Sequence, residues 1–144
     1  MRLETVLKQD LDLPELAFTS EYQVRGGYSG FTYSDDFNQE IISLKDKINL
    51  DHPAVFVSKV SGSSMSGWSD IRPGDYVIYD GSKECKNGSV VVVRLNGEDI
   101  VKEYVKTDGK VILRSSNPNY KDIILSEYDD AQILGVVIHQ IRDW

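Results

Sequence analysis

Cysteine, histidine and proline are scarce in this chain: one, two and four among 144 residues. The single cysteine, Cys85, cannot close an internal disulfide, which suits a reducing compartment. It lies in the turn-like stretch Lys83-Glu84-Cys85-Lys86-Asn87 and reads first as an incidental loop thiol, with a nucleophilic role as the alternative. His52 precedes Pro53 at the expected end of a helix and reads as a surface or capping residue. His139 sits within the apolar run Val136-Val137-Ile138-His139-Gln140-Ile141 and reads as structural. No pair of histidines or cysteines stands at ligand spacing, so neither a metal site nor another cofactor is expected. A GxxxxGK phosphate loop is lacking, which argues against nucleotide hydrolysis. No apolar run approaches the roughly 20 residues that cross a bilayer. The start Met1-Arg2-Leu3-Glu4-Thr5 carries acid early and has no apolar h-region, so no secretory signal is expected and the cytoplasm is the expected location. Basic residues are outnumbered 16 to 23, for a net charge of -7. Scattered lysines and arginines in an acidic chain disfavour general phosphate-backbone binding, and point to proteins as partners.

What is present describes an ordinary globular chain of one domain, 40% hydrophobic and 27% charged. Residues 1 to about 34 hold short apolar clusters (Leu3, Val6, Leu7, then Leu13, Leu16, Phe18) broken by Pro14, Gly26, Gly27 and Gly30. Neither helical nor strand period persists there, so an extended arm is expected, with a helical turn near Leu3 to Lys8. Ser43 to Leu50 reads as a short helix, with Ser43 and Asp46 at capping-box spacing and a stop near His52, before Pro53. From Ala54 onward the signal is β. Asp80-Gly81, Asn87-Gly88, Asn96-Gly97 and Asp108-Gly109 are dipeptides of the kind that close tight hairpins. Strands are expected at Tyr76–Tyr79, Ser89–Leu95, Asp99–Lys106, Lys110–Arg114, Ile123–Leu125 and Ile133–Ile141. Pro73-Gly74 fits the centre of a type II turn feeding the first of them. Strand after strand without helices means a mainly β protein with a rolled, barrel-like antiparallel sheet.

Two residues carry candidate chemistry. Ser64 lies in the small-residue loop Ser61-Gly62-Ser63-Ser64-Met65, which can turn sharply and leave the hydroxyl uncovered. Successive N–H groups in such a turn, those near Ser63 and Ser64, can converge on a developing oxyanion. A serine still needs an adjacent base. Lys102 shares one face of its expected strand with Ile100 and Tyr104, while Val101, Glu103 and Val105 take the other. Burial there penalises the ammonium and frees a neutral amine to act as base near neutral pH. The bland readings stay open: an ordinary turn, and a lysine on a solvated face or snorkelling into water.

These segments together resemble the LexA/UmuD family of self-cleaving serine peptidases, with the UmuD branch the nearer, over about Val24 to the C-terminus. Ser61-Gly62-Ser63-Ser64-Met65 is similar to the family's Ser-Gly-x-Ser-Met nucleophile loop, and Ile71-Arg72-Pro73-Gly74-Asp75 to the Gly-Asp turn that follows. Gly97-Glu98 leading to Val101-Lys102 resembles the segment carrying the lysine base. Leu113, Asn117 and Tyr120 match a further signature, and Gly135-Val136-Val137-Ile138-His139 resembles the UmuD C-terminal strand. The resemblance implies a Ser64–Lys102 dyad, oxyanion donors at Ser63 and Ser64, and a scissile bond in the arm within Val24-Arg25-Gly26-Gly27. Cleavage is then expected between Gly26 and Gly27, with Gly26 standing where the family usually has Ala or Cys. Residues 1–34 would form the arm and 35–144 the peptidase and dimerisation domain.

A LexA-type repressor carries a helix-turn-helix domain ahead of its cleavage site. Here 26 residues precede the expected bond, with three basic side chains against five acidic, so no DNA-reading domain and no sequence-specific DNA binding are expected. By resemblance the partners are a second copy of the chain, a RecA–single-stranded-DNA filament that stimulates cleavage, and a Y-family translesion polymerase. The alternative is a dimeric adaptor of the same fold that does not cleave, which Gly26 favours. A signal-peptidase relative with a similar dyad would need a membrane anchor, which is not expected here.

Overall fold

A computed structural model describes residues 2–6, 15–19 and 39–143 of the chain. Along the sequence run β1 (Arg2–Val6), β2 (Glu15–Thr19), β3 (Gln39–Ser43) and α1 (Leu44–Lys47). They are followed by β4 (Val55–Ser61), β5 (Tyr76–Asp80), β6 (Val90–Leu95) and β7 (Glu98–Thr107). β8 (Lys110–Arg114), β9 (Ile123–Ile124) and β10 (Ala131–Ile141) complete the order. β2 and β3 pair by themselves, and the other eight strands form one antiparallel sheet in the order β1-β4-β5-β10-β6-β7-β8-β9. The mainly β, rolled architecture expected from the sequence is the one present.

Two of the four turn dipeptides close hairpins. Asn96 and Gly97 (φ 49° and 86°) turn β6 into β7, and Asp108 and Gly109 (φ 49° and 74°) turn β7 into β8. Both central residues adopt the left-handed region, which matches the twist of the flanking strands. The other two dipeptides correct the expectation. β5 and β6 are not neighbours, because β10 lies between them. The Gly81 N–H donates to the Ala54 carbonyl, and the Gly88 N–H donates to the Tyr104 carbonyl, each at 2.8 Å. Such dipeptides specify a local reversal, and the strand that fills the vacated position can come from far along the chain. Gly135, on β10, is required by that insertion. A Cβ there would lie 2.8 Å from the Asp80 carbonyl carbon, a backbone atom that cannot give way. The Pro73-Gly74 turn is as expected, with Gly74 at φ 90° and the Asp75 N–H donating to the Arg72 carbonyl.

The described part of the Leu3 to Lys8 stretch is strand β1, not a helical turn. It pairs with β4 from Arg2↔Ser61 to Val6↔Val57, so the ladder of an open sheet edge supplies hydrogen bonds that one isolated turn cannot. The helix at Ser43 to Leu50 is shorter than expected. It ends at Lys47, and Asn49 at φ 56° diverts the chain into turns that run on to His52. Gly26 and Gly27, the expected scissile pair, lie outside the described residues.

The curl of the sheet brings its two flanks together. In a flat sheet, β4 and β7 would stand four strand spacings, roughly 19 Å, apart. Instead β1, beside β4, comes back against β7. Leu3 packs on a core of Val60, Met65, Ile71, Val77, Tyr79, Val92 and Val101 drawn from β4, β5, β6, β7 and the loop after β4. Val91, Ile100 and Leu113 lie in a further apolar cluster on β6, β7 and β8.

The C-terminal stretch fastens the loop that joins β4 to β5. Arg142 Nε donates to Asp75 Oδ1 at 2.9 Å and its Nη2 to Oδ2 at 2.8 Å, while the Arg72 N–H donates to Oδ2 at 2.9 Å. Asp75 is almost wholly buried, and burial alone would raise its pKa. The Arg142 guanidinium and the Arg72 N–H outweigh that and hold the carboxyl below its usual value. A depressed carboxyl adds stability above the unfolded value of about 3.9, and that stability is lost as pH falls through the folded value. We therefore expect Arg142→Ala to lower stability at pH 7, with part of the ion pair screened by solvent. Urea denaturation at pH 7 and near pH 3 should show a smaller acid-induced loss in this variant than in wild type. An equal loss in both would remove the Asp75 clasp as its cause.

Candidate active site

Lys102 is held where its charge is least welcome. On β7 it shares a face with Ile100 and Tyr104, as the alternation predicts, and its cross-strand partner on β6 is Val91. Only 4% of the residue is exposed. Its Nζ donates to Ser64 Oγ at 2.8 Å and to Ser115 Oγ at 2.9 Å. Burial holds the amine below the ordinary lysine value of 10.5. The neutral form therefore becomes available at lower pH than for a free lysine, and it can accept the proton of a serine already in contact. The structure brings Ser64 and Lys102 together across 38 residues of sequence.

Ser64 differs from expectation in one respect: its hydroxyl is not uncovered. The residue is fully buried. The reason is that the loop after β4 does not project. Its neck is closed by the Val60 N–H on the Asp75 carbonyl and the Gly74 N–H on the Val60 carbonyl, both 2.8 Å. Its body lies on the segment after β8. The Asn117 N–H donates to the Ser64 carbonyl at 2.9 Å, the Gly67 N–H to Ser116 Oγ at 3.1 Å, and the Ser116 N–H approaches Met65 Sδ at 3.3 Å. The Ser69 and Ser116 hydroxyls meet at 2.7 Å, and those of Ser63 and Tyr120 at 3.0 Å. Met65 anchors the loop from below, fully buried in the core.

The candidate oxyanion donors can be followed in the same geometry. Three groups donate to the Ser63 carbonyl: the Ser66 N–H at 3.1 Å, the Ser66 hydroxyl at 2.7 Å and the Asn117 amide at 3.1 Å. In a trans peptide the carbonyl and the next N–H point in opposite directions. Holding the Ser63 carbonyl therefore fixes where the Ser64 N–H points. Among the described residues, neither the Ser63 nor the Ser64 N–H has an acceptor.

Sequence reasoning missed Ser115 as a partner of the lysine, and a signal for it existed. The Asp108-Gly109 turn pairs Thr107 with Lys110, and the ladder runs through Glu103↔Arg114. One further rung places Ser115 opposite Lys102. The remaining candidates stand apart from this site's hydrogen bonds. His139 lies on β10 opposite Ile78, and the His52 Nδ1 accepts from the Ala54 N–H at 3.1 Å. Cys85 is half-buried beside the Val91 cluster, and burial pushes its thiol pKa up, away from the thiolate. Among the described residues no group of His, Cys, Asp and Glu is arranged to hold a metal, and no helix is long and apolar enough to cross a membrane.

Comparison with known proteins agrees with this geometry. The model of the Peptidase S24-like family matches residues 18–138. A LexA repressor of Syntrophotalea carbinolica is 32% identical over 110 residues, which cover 73% of this chain and 54% of the relative. A LexA repressor of Verrucomicrobium spinosum is 34% identical over 89 residues, 62% of this chain and 42% of the relative. One from Bordetella parapertussis is 32% identical over 87 residues, 60% of this chain and 40% of the relative. The chain thus spans about half the length of these curated relatives, or less.

Gly67 tests whether the loop depends on this seat. A Cβ there would stand 1.8 Å from the Ser116 carbonyl oxygen, so one of two backbone segments must move. Gly67→Ala should destabilise the fold by roughly 1–3 kcal/mol in chemical denaturation. An unchanged denaturation midpoint would mean that the loop and the 115–117 segment are not in contact.

Proposed function

From the premise that the chain belongs to the Peptidase S24-like family, we propose that it is a serine endopeptidase that cuts its own N-terminal arm. The observation that supports this reading most is the 2.8 Å contact between two buried side chains, the Lys102 amine and the Ser64 hydroxyl. Neutral Lys102 takes the Ser64 proton as Oγ bonds to the Gly26 carbonyl carbon. The carbonyl oxygen becomes an oxyanion facing the N–H groups of Ser63 and Ser64. As the C–N bond breaks, the Lys102 ammonium returns its proton to the Gly27 nitrogen. Water then hydrolyses the Gly26 ester, with Lys102 again taking a proton, and Ser64 is regenerated. Because Ser64 is buried, a tethered arm, from the same chain or a dimer partner, suits it better than a free substrate.

The role we propose is UmuD-like: cleavage during the DNA-damage (SOS) response, stimulated by a RecA–single-stranded-DNA filament, remodels a cytoplasmic homodimer that then serves a Y-family translesion polymerase. The named relatives are LexA repressors, and they support a damage-response setting through the shared peptidase portion. The second reading is a non-cleaving dimeric adaptor. It is favoured by Gly26, which lacks the methyl or thiol that the family usually carries at that place.

Intact-mass analysis of purified protein across pH 7 to 10 separates the two. The proposal expects loss of the first 26 residues, at a rate that rises with pH and levels off below 10.5, because the base must be neutral and its folded pKa is lowered. Ser64→Ala and Lys102→Ala should each abolish the cut near neutral pH. A wild-type chain that stays intact throughout supports the adaptor, and a pH-independent cut contradicts a lysine base.

A further inference from the structure

A buried amine with one lone pair can serve Ser64 only if that lone pair is aimed, and nothing in the lysine's four flexible methylenes aims it. Lys102 Nζ has two hydroxyl partners, Ser64 at 2.8 Å and Ser115 at 2.9 Å. We infer that Ser115 is a positioning residue. Its Oγ accepts an N–H of the Lys102 amine and so turns the lone pair toward the Ser64 hydroxyl. The inference rests on the reading of Ser64 and Lys102 as a dyad.

Three observations carry it. Ser115 is itself buried, at 7% exposure, so its hydroxyl competes little with water for the amine. Its place is rigid, one rung beyond the Glu103↔Arg114 pair, with Ser116 and Asn117 bonded to the nucleophile loop immediately after it. Among the described residues no charged group bonds to the amine either. Val91 faces it from β6, and Ser64 comes from the loop. Asp99, Glu103 and Arg114 alternate onto the opposite face, where Asp99 pairs with Arg94 and Arg114 with Asp122. Among the described residues no carboxylate bonds to Lys102. The two hydroxyls are therefore its polar contacts, and they divide the work: one gives up its proton, the other holds the base in line.

The same bond persists through the reaction. The neutral amine has two N–H groups and donates one to Ser115. The ammonium formed after proton transfer has three and still donates one there. Ser115 thus neither gains nor loses a proton. It acts through Lys102 and touches no reacting atom.

The test compares Ser115→Ala and Ser115→Thr with wild type, using two readouts on full-length protein. The first is the pH–rate profile of self-cleavage. Ser115→Ala should lower the alkaline plateau roughly 10- to 100-fold, as expected for a misaligned base, and move the midpoint to lower pH because the ammonium loses an acceptor. Ser115→Thr should restore both. The second is the titration of Lys102 followed by the 13Cε resonance of labelled lysine, which reads the dyad whether or not the arm is cut. Its midpoint should fall in Ser115→Ala and return in Ser115→Thr. A wild-type chain that does not cleave, yet shows this movement of the lysine midpoint, would sink the peptidase reading and leave the positioning role standing. Unchanged rate and midpoint in a folded Ser115→Ala protein would overturn the positioning role, as would a Ser115→Thr protein that folds yet behaves like the alanine variant.

Discussion

The contact between the Lys102 amine and the Ser64 hydroxyl depends on keeping an amine away from water. Placing an ammonium in such an environment costs several kcal/mol unless a counter-charge accompanies it. Among the described residues Lys102 has hydroxyl partners and no carboxylate. A carboxylate in its place would stabilise the ammonium and remove the base. Burial without a bonded carboxylate is what would let an ordinary surface residue type act as an acid–base group, as proposed for Lys102. The price in fold stability is small when the group is neutral.

That arrangement is a consequence of topology more than of local sequence. The loop that carries Ser64 springs from β4, and Lys102 sits on β7, on opposite flanks of the sheet's centre. Only a curled sheet brings them within a hydrogen bond. The curl is locked by Leu3 against the central core and by β10 inserted between β5 and β6, with a glycine where the backbones approach. The loop is then held at its neck by Asp75, Arg72 and Arg142, at its base by Met65, and along its length by Ser116 and Asn117. Each clamp uses short-range polar contacts to fix one small stretch of backbone, and the geometry of Ser64 follows.

Much of this was legible in the residues themselves. Asn96-Gly97 and Asp108-Gly109 announced two hairpins, and the alternation of Ile100, Lys102 and Tyr104 placed the lysine on an apolar face. The Ser-Gly-x-Ser-Met loop singled out the serine that meets the lysine. What stayed hidden was non-local. Asp80-Gly81 and Asn87-Gly88 look like the other hairpins, yet the strand that separates β5 from β6 comes from the far end of the chain. Leu3 to Val6 has no period of its own and becomes a strand only because β4 offers an edge. The burial of Ser64 was invisible because small polar residues in a loop give no hint that the loop will lie down on residues some fifty positions later. Ser115 was hidden differently: the register implied it, but a lone serine past a strand end carries no chemistry until the lysine opposite is known.

The account stands or falls on the protonation of one nitrogen and its distance from one oxygen. Neutron diffraction from crystals of the protein at pH 10.5, the ordinary value of a lysine, reads both at once. The account predicts two deuterons on Lys102 Nζ, one of them facing Ser115, with the Ser64 deuteron directed at the nitrogen from within hydrogen-bonding range. Three deuterons on that nitrogen, or a gap too wide for any hydrogen bond, would contradict it.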